Sequence, residues 1–150
     1  MKKLILCAIA MMALSISCSK SDGDGAEEQL PLSIENLKGV WYFKESIKMD
    51  NTRIPYKKIV GCPEKRDFVT FGVDRSVRSS IHYANCVPLS TYGCGNYSFN
   101  PNSNIILNCN FYFEGTATIT KTTLRIDYSD PTMREFNGDT PVKGIILTRQ

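Results

Sequence analysis

Leu37-Lys38-Gly39-Val40-Trp41-Tyr42-Phe43-Lys44-Glu45-Ser46-Ile47-Lys48-Met49 is the stretch on which the fold turns. Trp41, Phe43, Ile47 and Met49 alternate with Tyr42, Lys44, Ser46 and Lys48. A period of two sends successive side chains to opposite faces of a strand, so one face here is apolar and the other polar. Glu45 falls in phase with the apolar set. A carboxylate aimed into a core is costly without a donor, a cation or water beside it. Glu45 is therefore either a polar fixture inside a ligand-holding interior, a residue that a bulge turns outward, or half of a salt bridge at the rim.

The same period recurs downstream. Val69 and Phe71 alternate in the segment from Arg66, and Val77, Ser79, Ile81 and Tyr83 oppose Ser76, Arg78, Ser80 and His82. Further runs cover Gly95 to Phe99, Asn104 to Phe113, Gly115 to Thr120, Thr123 to Tyr128 and Val142 to Arg149. Turn residues separate them: Asp50-Asn51, Gly72 to Asp74, Asn100-Pro101-Asn102, Lys121-Thr122 and Asn137-Gly138-Asp139. No stretch after residue 17 keeps a helical period long enough for a substantial helix. Eight or nine short strands at this spacing make an antiparallel sandwich or a closed barrel, an all-β fold.

Upstream of the strands the composition changes twice. Lys2 and Lys3, the apolar run Leu4 to Leu14 and the small residues before Cys18 have the layout of a secretory signal. The apolar run is shorter than the ~20 residues a membrane-spanning helix needs. This leader resembles those of bacterial lipoproteins, in which the cysteine after the small residues is cut and acylated; Leu14 lies four residues before Cys18 rather than three. The resemblance implies lipidation at Cys18 and attachment to a membrane through acyl chains.

Three segments follow from this: a signal peptide at 1–17, a flexible acidic tether at 18–36 and one compact domain at 37–150. Cys18 to Asn36 holds one lysine against five acidic residues, net −4, whereas Leu37 to Arg149 holds fifteen basic against ten acidic residues, net +5. Asp22, Asp24, Glu27 and Glu28 are similar to the acidic export signals that send lipoproteins of the Bacteroides and Flavobacterium group to the outer face of the outer membrane. The resemblance implies an address in the cell envelope at the outer membrane. Which side the domain faces is left open.

Four cysteines remain in the domain: Cys62, Cys86, Cys94 and Cys109. An even number in an exported chain argues for two disulfides, with three pairings open. A zinc site built from these thiols and His82 is disfavoured, because such sites pair cysteines about two to four residues apart and no such pair exists here.

The opening Leu37-Lys38-Gly39-Val40-Trp41 and the later Cys62-Pro63-Glu64-Lys65-Arg66-Asp67-Phe68-Val69-Thr70-Phe71 together resemble the lipocalin-like domain of small secreted Bacteroidetes lipoproteins. In that pattern a cysteine, an acidic residue, a strand ending in Phe, a turn and a second cysteine fall here on Cys62, Asp67, Phe71, Gly72 to Asp74 and Cys86. The turn lacks the usual Asp-Gly order, and Cys94 and Cys109 are an addition. The resemblance implies an antiparallel up-and-down, lipocalin-like β-barrel of about eight strands. With short local closure, it favours pairing Cys62 with Cys86 and Cys94 with Cys109. In such a barrel Gly39 lets the backbone pack closely while Trp41 plugs one end, and the cation near the C-terminus, Arg149, either lies over the indole or stays in solvent.

Signs of chemistry are few. There is no nucleophile elbow, paired-His metal motif or phosphate loop, and His82 shares the polar phase of its strand. The reading is a non-catalytic protein with no cofactor and no metal. Arg53, Lys57, Lys58, Lys65, Arg66, Arg75 and Arg78 against Glu64, Asp67 and Asp74 give one segment a net +4. That segment is either a solvated surface or an anion-binding patch at one barrel end. Nucleic acid is not an expected partner, since no aromatic stacking motif accompanies the charge. Two functions stay open: a carrier that holds a small apolar or amphipathic ligand near Trp41, Phe43 and Glu45, or a filled barrel that docks a protein or glycan of the envelope on its surface.

Overall fold

The computed structural model describes residues 27–56, 62, 65–82, 86, 95–100, 104–107, 113–130, 132–133 and 140–149. One turn of helix, α1 (Ile34–Leu37), opens on Ser33, whose hydroxyl accepts the Asn36 amide at 3.2 Å as an N-cap. Strands follow: β1 (Gly39–Lys48), β2 (Arg53–Pro55), β3 (Phe68–Phe71), β4 (Val77–Ser80), β5 (Tyr97–Phe99), β6 (Asn104–Leu107), β7 (Phe113–Ile119), β8 (Thr123–Tyr128) and β9 (Val142–Thr148).

All pairings between these strands are antiparallel, in the order β4-β3-β1-β9-β8-β7-β6-β5. β2 pairs with the second half of β1, on the edge whose first half pairs with β3. The sheet of eight strands nearly closes into a barrel. A bridge between Ser76 and Asn96, with Val77 N–H donating to Gly95 O (3.1 Å) and Tyr97 N–H to Arg75 O (2.9 Å), spans the seam between β4 and β5. Of the sandwich and the barrel that the alternation left open, the nearly closed antiparallel barrel is the fold that forms.

Cross-strand partners share a face, and the pairs line up the interior: Trp41 with Val69, Phe71 with Val77, Tyr97 with Leu107, Ala117 with Ile126, and Leu124 with Leu147. These residues form one buried cluster. Fully burying an aliphatic or aromatic side chain stabilises by about 1.5–3 kcal/mol, so this interior outweighs any surface pair.

The register between β1 and β9 shifts twice, once between Phe43 and Glu45 and again between Ile47 and Lys48, where Lys143 is the extra residue; the first shift changes the phase of β1. Phe43 pairs with Leu147 but Glu45 pairs with Ile146, which leaves Lys44 as the extra residue of a β-bulge. Beyond it the phase is reversed. Ser46 meets Ile145 of the interior cluster, whereas Glu45 shares the outer side with Ile146 and Ile47 sits across from Gly144. Gly39 also differs from expectation in its reason. A Cβ there would meet nothing within 4 Å, but φ is +115°, a region that disfavours L side chains, so backbone conformation and not close packing selects glycine.

Because the strands alternate in direction, their connections fall at opposite ends. The turns 72–76 and 120–122 lie at the end where β1 begins and β9 finishes, with α1. The other end receives the turn 49–52 and, among the described residues, Tyr56, Cys62, 65–67, 81–82, Cys86 and 129–130. The first is the closed end and the second the loop end.

Candidate functional site

At the closed end the chain seals itself. The Trp41 indole N–H donates to Leu37 O at 2.7 Å, and the Arg149 guanidinium lies 4.3 Å from the Trp41 ring centroid. Arg149 also donates to Lys121 O (2.7 Å) and Asn36 O (2.8 Å), carbonyls that the turn and the helix end leave unpaired. The segment ahead of α1 joins the seal. Leu30 N–H donates to Ile119 O at 2.8 Å, and Leu30 and Leu32 pack on the interior cluster. The Glu27 carboxylate accepts from the Thr120 hydroxyl, the Thr122 hydroxyl (2.8 Å) and the Thr122 amide (3.3 Å). The Thr120 bond first, then that of Thr122, holds the Glu27 carboxyl below its ordinary pKa. The stretch read as tether up to Asn36 is therefore folded onto the barrel from Glu27 onward.

The loop end has a different character. Phe43, the last residue before the bulge, projects inward and stacks on Tyr56 at 4.9 Å between ring centroids. Tyr128, paired with Gly115, faces in beside the cluster, and burial pushes its phenol pKa up. Phe43, Tyr56 and Tyr128 are only partly buried, unlike Trp41 at the other end.

Next to Phe43 lies a polar clasp. The Asp67 carboxylate, 3 % exposed, accepts the His82 amide at 2.9 Å and the Tyr56 hydroxyl at 3.2 Å, with His82 Nδ1 at 3.2 Å. Asp67 O in turn accepts the Phe43 amide at 3.1 Å. One carboxylate so ties together the residues that follow β2, precede β3 and follow β4. His82 is 8 % exposed. The alternation had set it toward solvent, but it lies beyond the last residue of β4, with its ring 6.3 Å from that of Phe68.

The disulfide Cys62–Cys86 forms, with Cα atoms 5.1 Å apart, and joins the connections 56–67 and 81–96. Lys65 Nζ donates to Cys86 O at 3.3 Å beside it. Cys18, Cys94 and Cys109 lie outside the described residues, as do Tyr83, Phe111 and the turn at Asn137-Gly138-Asp139.

Of the three residues singled out for ligand contact, the barrel separates rather than gathers. Trp41 is wholly buried in the closed end with ring and N–H both engaged, Phe43 faces the interior toward the loop end, and Glu45 is on the outer side, 3.9 Å from Arg53. The basic segment is also divided. Arg53, Lys65 and Arg66 are at the loop end, Arg75 is on the closed-end turn, and Arg78 is exposed on β4; Lys57 and Lys58 lie outside the described residues. Arg66 stacks on the outward ring of Tyr42 at 4.4 Å. Tyr56 and Tyr128 carried no sequence signal of their own, because one follows a strand of three residues and the other ends a strand whose apolar members are Leu124 and Ile126.

No family model matches this chain, nor does any curated protein or solved structure match it.

Proposed function

We propose that the chain is a non-catalytic, lipid-anchored barrel of lipocalin-like type, tethered through Cys18 to a membrane of the bacterial envelope, which holds a small apolar or amphipathic molecule at its loop end. The observation that carries this reading is the contrast between the two ends. One is sealed by Trp41, Arg149 and α1, while the other presents the inward aromatic rings of Phe43, Tyr56 and Tyr128 only partly covered. Aromatic walls with a few fixed polar groups are the usual lining of a small-molecule site. Ser46 and the Asp67 clasp supply those groups here.

The leader and the envelope address rest on sequence resemblance. Metabolic labelling with a palmitate analogue tests the anchor: label should enter the wild type and not Cys18→Ser. N-phenyl-1-naphthylamine tests the site. Saturable one-to-one enhancement of its fluorescence, displaced by envelope lipids and weakened by Phe43→Ala, supports the carrier; no enhancement, or enhancement that does not saturate, defeats it. A filled barrel that docks a partner on its surface is the second reading. It is favoured by the closed half, where Trp41, Phe71, Val77, Tyr97, Ile119 and Leu124 are all fully buried against one another.

A further inference from the structure

The way the chain enters the barrel has a consequence for how the protein stands on a membrane. From Glu27 to Leu37 it forms a strap across the closed end. Glu27 is held by Thr120 and Thr122, Leu30 by the bridge to Ile119, Asn36 O by Arg149, and Leu37 O by the Trp41 indole. Asn36 closes the strap on itself by donating to Pro31 O at 2.8 Å. These contacts involve both the β7–β8 turn and the residue after β9, so the entry point is fixed to the body of the barrel at several places.

Eight residues, 19–26, separate Cys18 from Glu27, so the link is nine residue-to-residue steps long. A chain of that length spans at most about 30 Å, even fully extended, at roughly 3.3–3.6 Å per residue. The barrel is of similar height: a ten-residue strand such as β1 is about 33 Å long, and a tilt of about 40° leaves about 25 Å along the axis. The link is thus just long enough to cross the barrel when stretched out. Any shorter span keeps the closed end nearer the anchor than the loop end.

We infer that the strap orients the anchored protein with its closed end toward the bilayer and its loop end, with the Cys62–Cys86 link and the rings of Phe43 and Tyr128, turned away from it. The inference rests on acylation at Cys18 as read above, and it refines the carrier. Ligand reaches the site from the aqueous side or from a partner facing the loop end, and is not drawn sideways from the leaflet that holds the anchor.

The chain's single tryptophan reports on this directly. Full-length acylated protein is placed in phosphatidylethanolamine/phosphatidylglycerol vesicles carrying a dansyl headgroup lipid, and energy transfer from Trp41 at the closed end is measured. Met49, exposed on the turn after β1 at the loop end, receives a second donor through Met49→Trp without disturbing the core. Strong transfer in the wild type, and a lower mean efficiency in Met49→Trp because the added donor is far from the lipid, is the expected result. A mean efficiency that is unchanged or higher overturns the orientation. Releasing the strap with Glu27→Ala and Leu30→Gly should lower transfer from Trp41, with circular dichroism verifying that the barrel persists. Flotation of the vesicles separates the two ideas. Wild type that floats while Cys18→Ser does not, combined with the wrong transfer pattern, defeats the orientation alone; wild type that does not float defeats the anchor and the orientation with it.

Discussion

The guanidinium of Arg149 lies 4.3 Å from the centre of the Trp41 ring and donates to two backbone carbonyls, so the residue after the last strand locks the first strand in place. A cation over an indole is worth about 0.5–1 kcal/mol where it is partly exposed, and each net hydrogen bond about 1 kcal/mol or less at such a site. Arg149→Ala should therefore lower stability by about 1–2 kcal/mol, read as a lower urea midpoint with unchanged slope. Arg149→Lys should recover only part, because an ammonium cannot stack flat and reach both carbonyls. Full stability in Arg149→Ala would mean that the strap and helix close the end unaided.

Asp67 gathers donors from Tyr56 and His82 in a buried setting. Removing the acceptor strands those donors, and an unsatisfied buried group costs about 1–3 kcal/mol. Asp67→Ala is expected to destabilise by about 2–4 kcal/mol. Tyr56→Phe, which loses one bond and keeps the stack on Phe43, should cost only about 1 kcal/mol. Equal losses in the two variants would show that the carboxylate does not organise the clasp.

Opposite expectations attach to Glu45. It stands on the outer side of the bulge, and its ion-pair partner, Arg53, has a side chain 61 % exposed. Glu45 itself is 25 % exposed, its Oε2 is buried without a hydrogen bond, and the 3.9 Å pair is long, so the pairing contributes at most about 1 kcal/mol. Glu45→Gln should shift the urea midpoint by no more than about 0.5 kcal/mol equivalent and leave probe binding intact, whereas Phe43→Ala weakens binding. Loss of binding in Glu45→Gln would place the site on the outer wall.

The Cys62–Cys86 bond closes a segment with a sequence separation of 24, which in the chain-entropy model stabilises by about 3 kcal/mol. Cys62→Ala with Cys86→Ala should lose that much at equilibrium. The loss should be accompanied by faster hydrogen exchange at 65–67 and 81–82, beside the link, while β8 and β9 stay protected. Uniform loss of protection would make the link a global staple instead of a local one.

Burial raises the pKa of Tyr128, and that of Tyr97 as well. For a group whose pKa is higher folded than unfolded, the stability it contributes is complete below the unfolded value and is lost as pH climbs toward the folded one. Both phenols have an ordinary value of 10.0. The urea midpoint should consequently hold through neutral and mildly alkaline pH and fall above about pH 10. Absorbance titration at 295 nm should show a class of tyrosines that ionises only with unfolding; ionisation of all seven tyrosines before unfolding would contradict the burial.

Much of this architecture could be read in advance, and the exceptions have physical reasons. Period two located β1 and β3 to β9, clearest in strands such as β6 and β8 whose buried residues alternate, whereas β9 is buried on both faces from Gly144 to Leu147. β2 escaped notice: three residues, one of them proline, carry no period, and only pairing with β1 makes them a strand. A bulge was one of three explanations for Glu45, beside an interior fixture and a rim salt bridge, and locating it at Lys44 needed the register against β9. His82 was misjudged because alternation describes a strand, and burial beyond a strand's end depends on residues distant in sequence, here Asp67 and Phe68. The strap was hidden for a similar reason. A polar, acidic composition resembles a free tether until Thr120 and Thr122 are brought beside Glu27.

Native mass spectrometry is the most direct test of a ligand-holding loop end. Soluble, oxidised protein beginning at Ser21 would be incubated with a lipid and metabolite extract of a bacterial envelope. The account predicts a discrete one-to-one adduct that leaves on denaturation and is diminished in Phe43→Ala; a clean unliganded mass across the whole extract would contradict it and leave a filled barrel that acts through its outer surface.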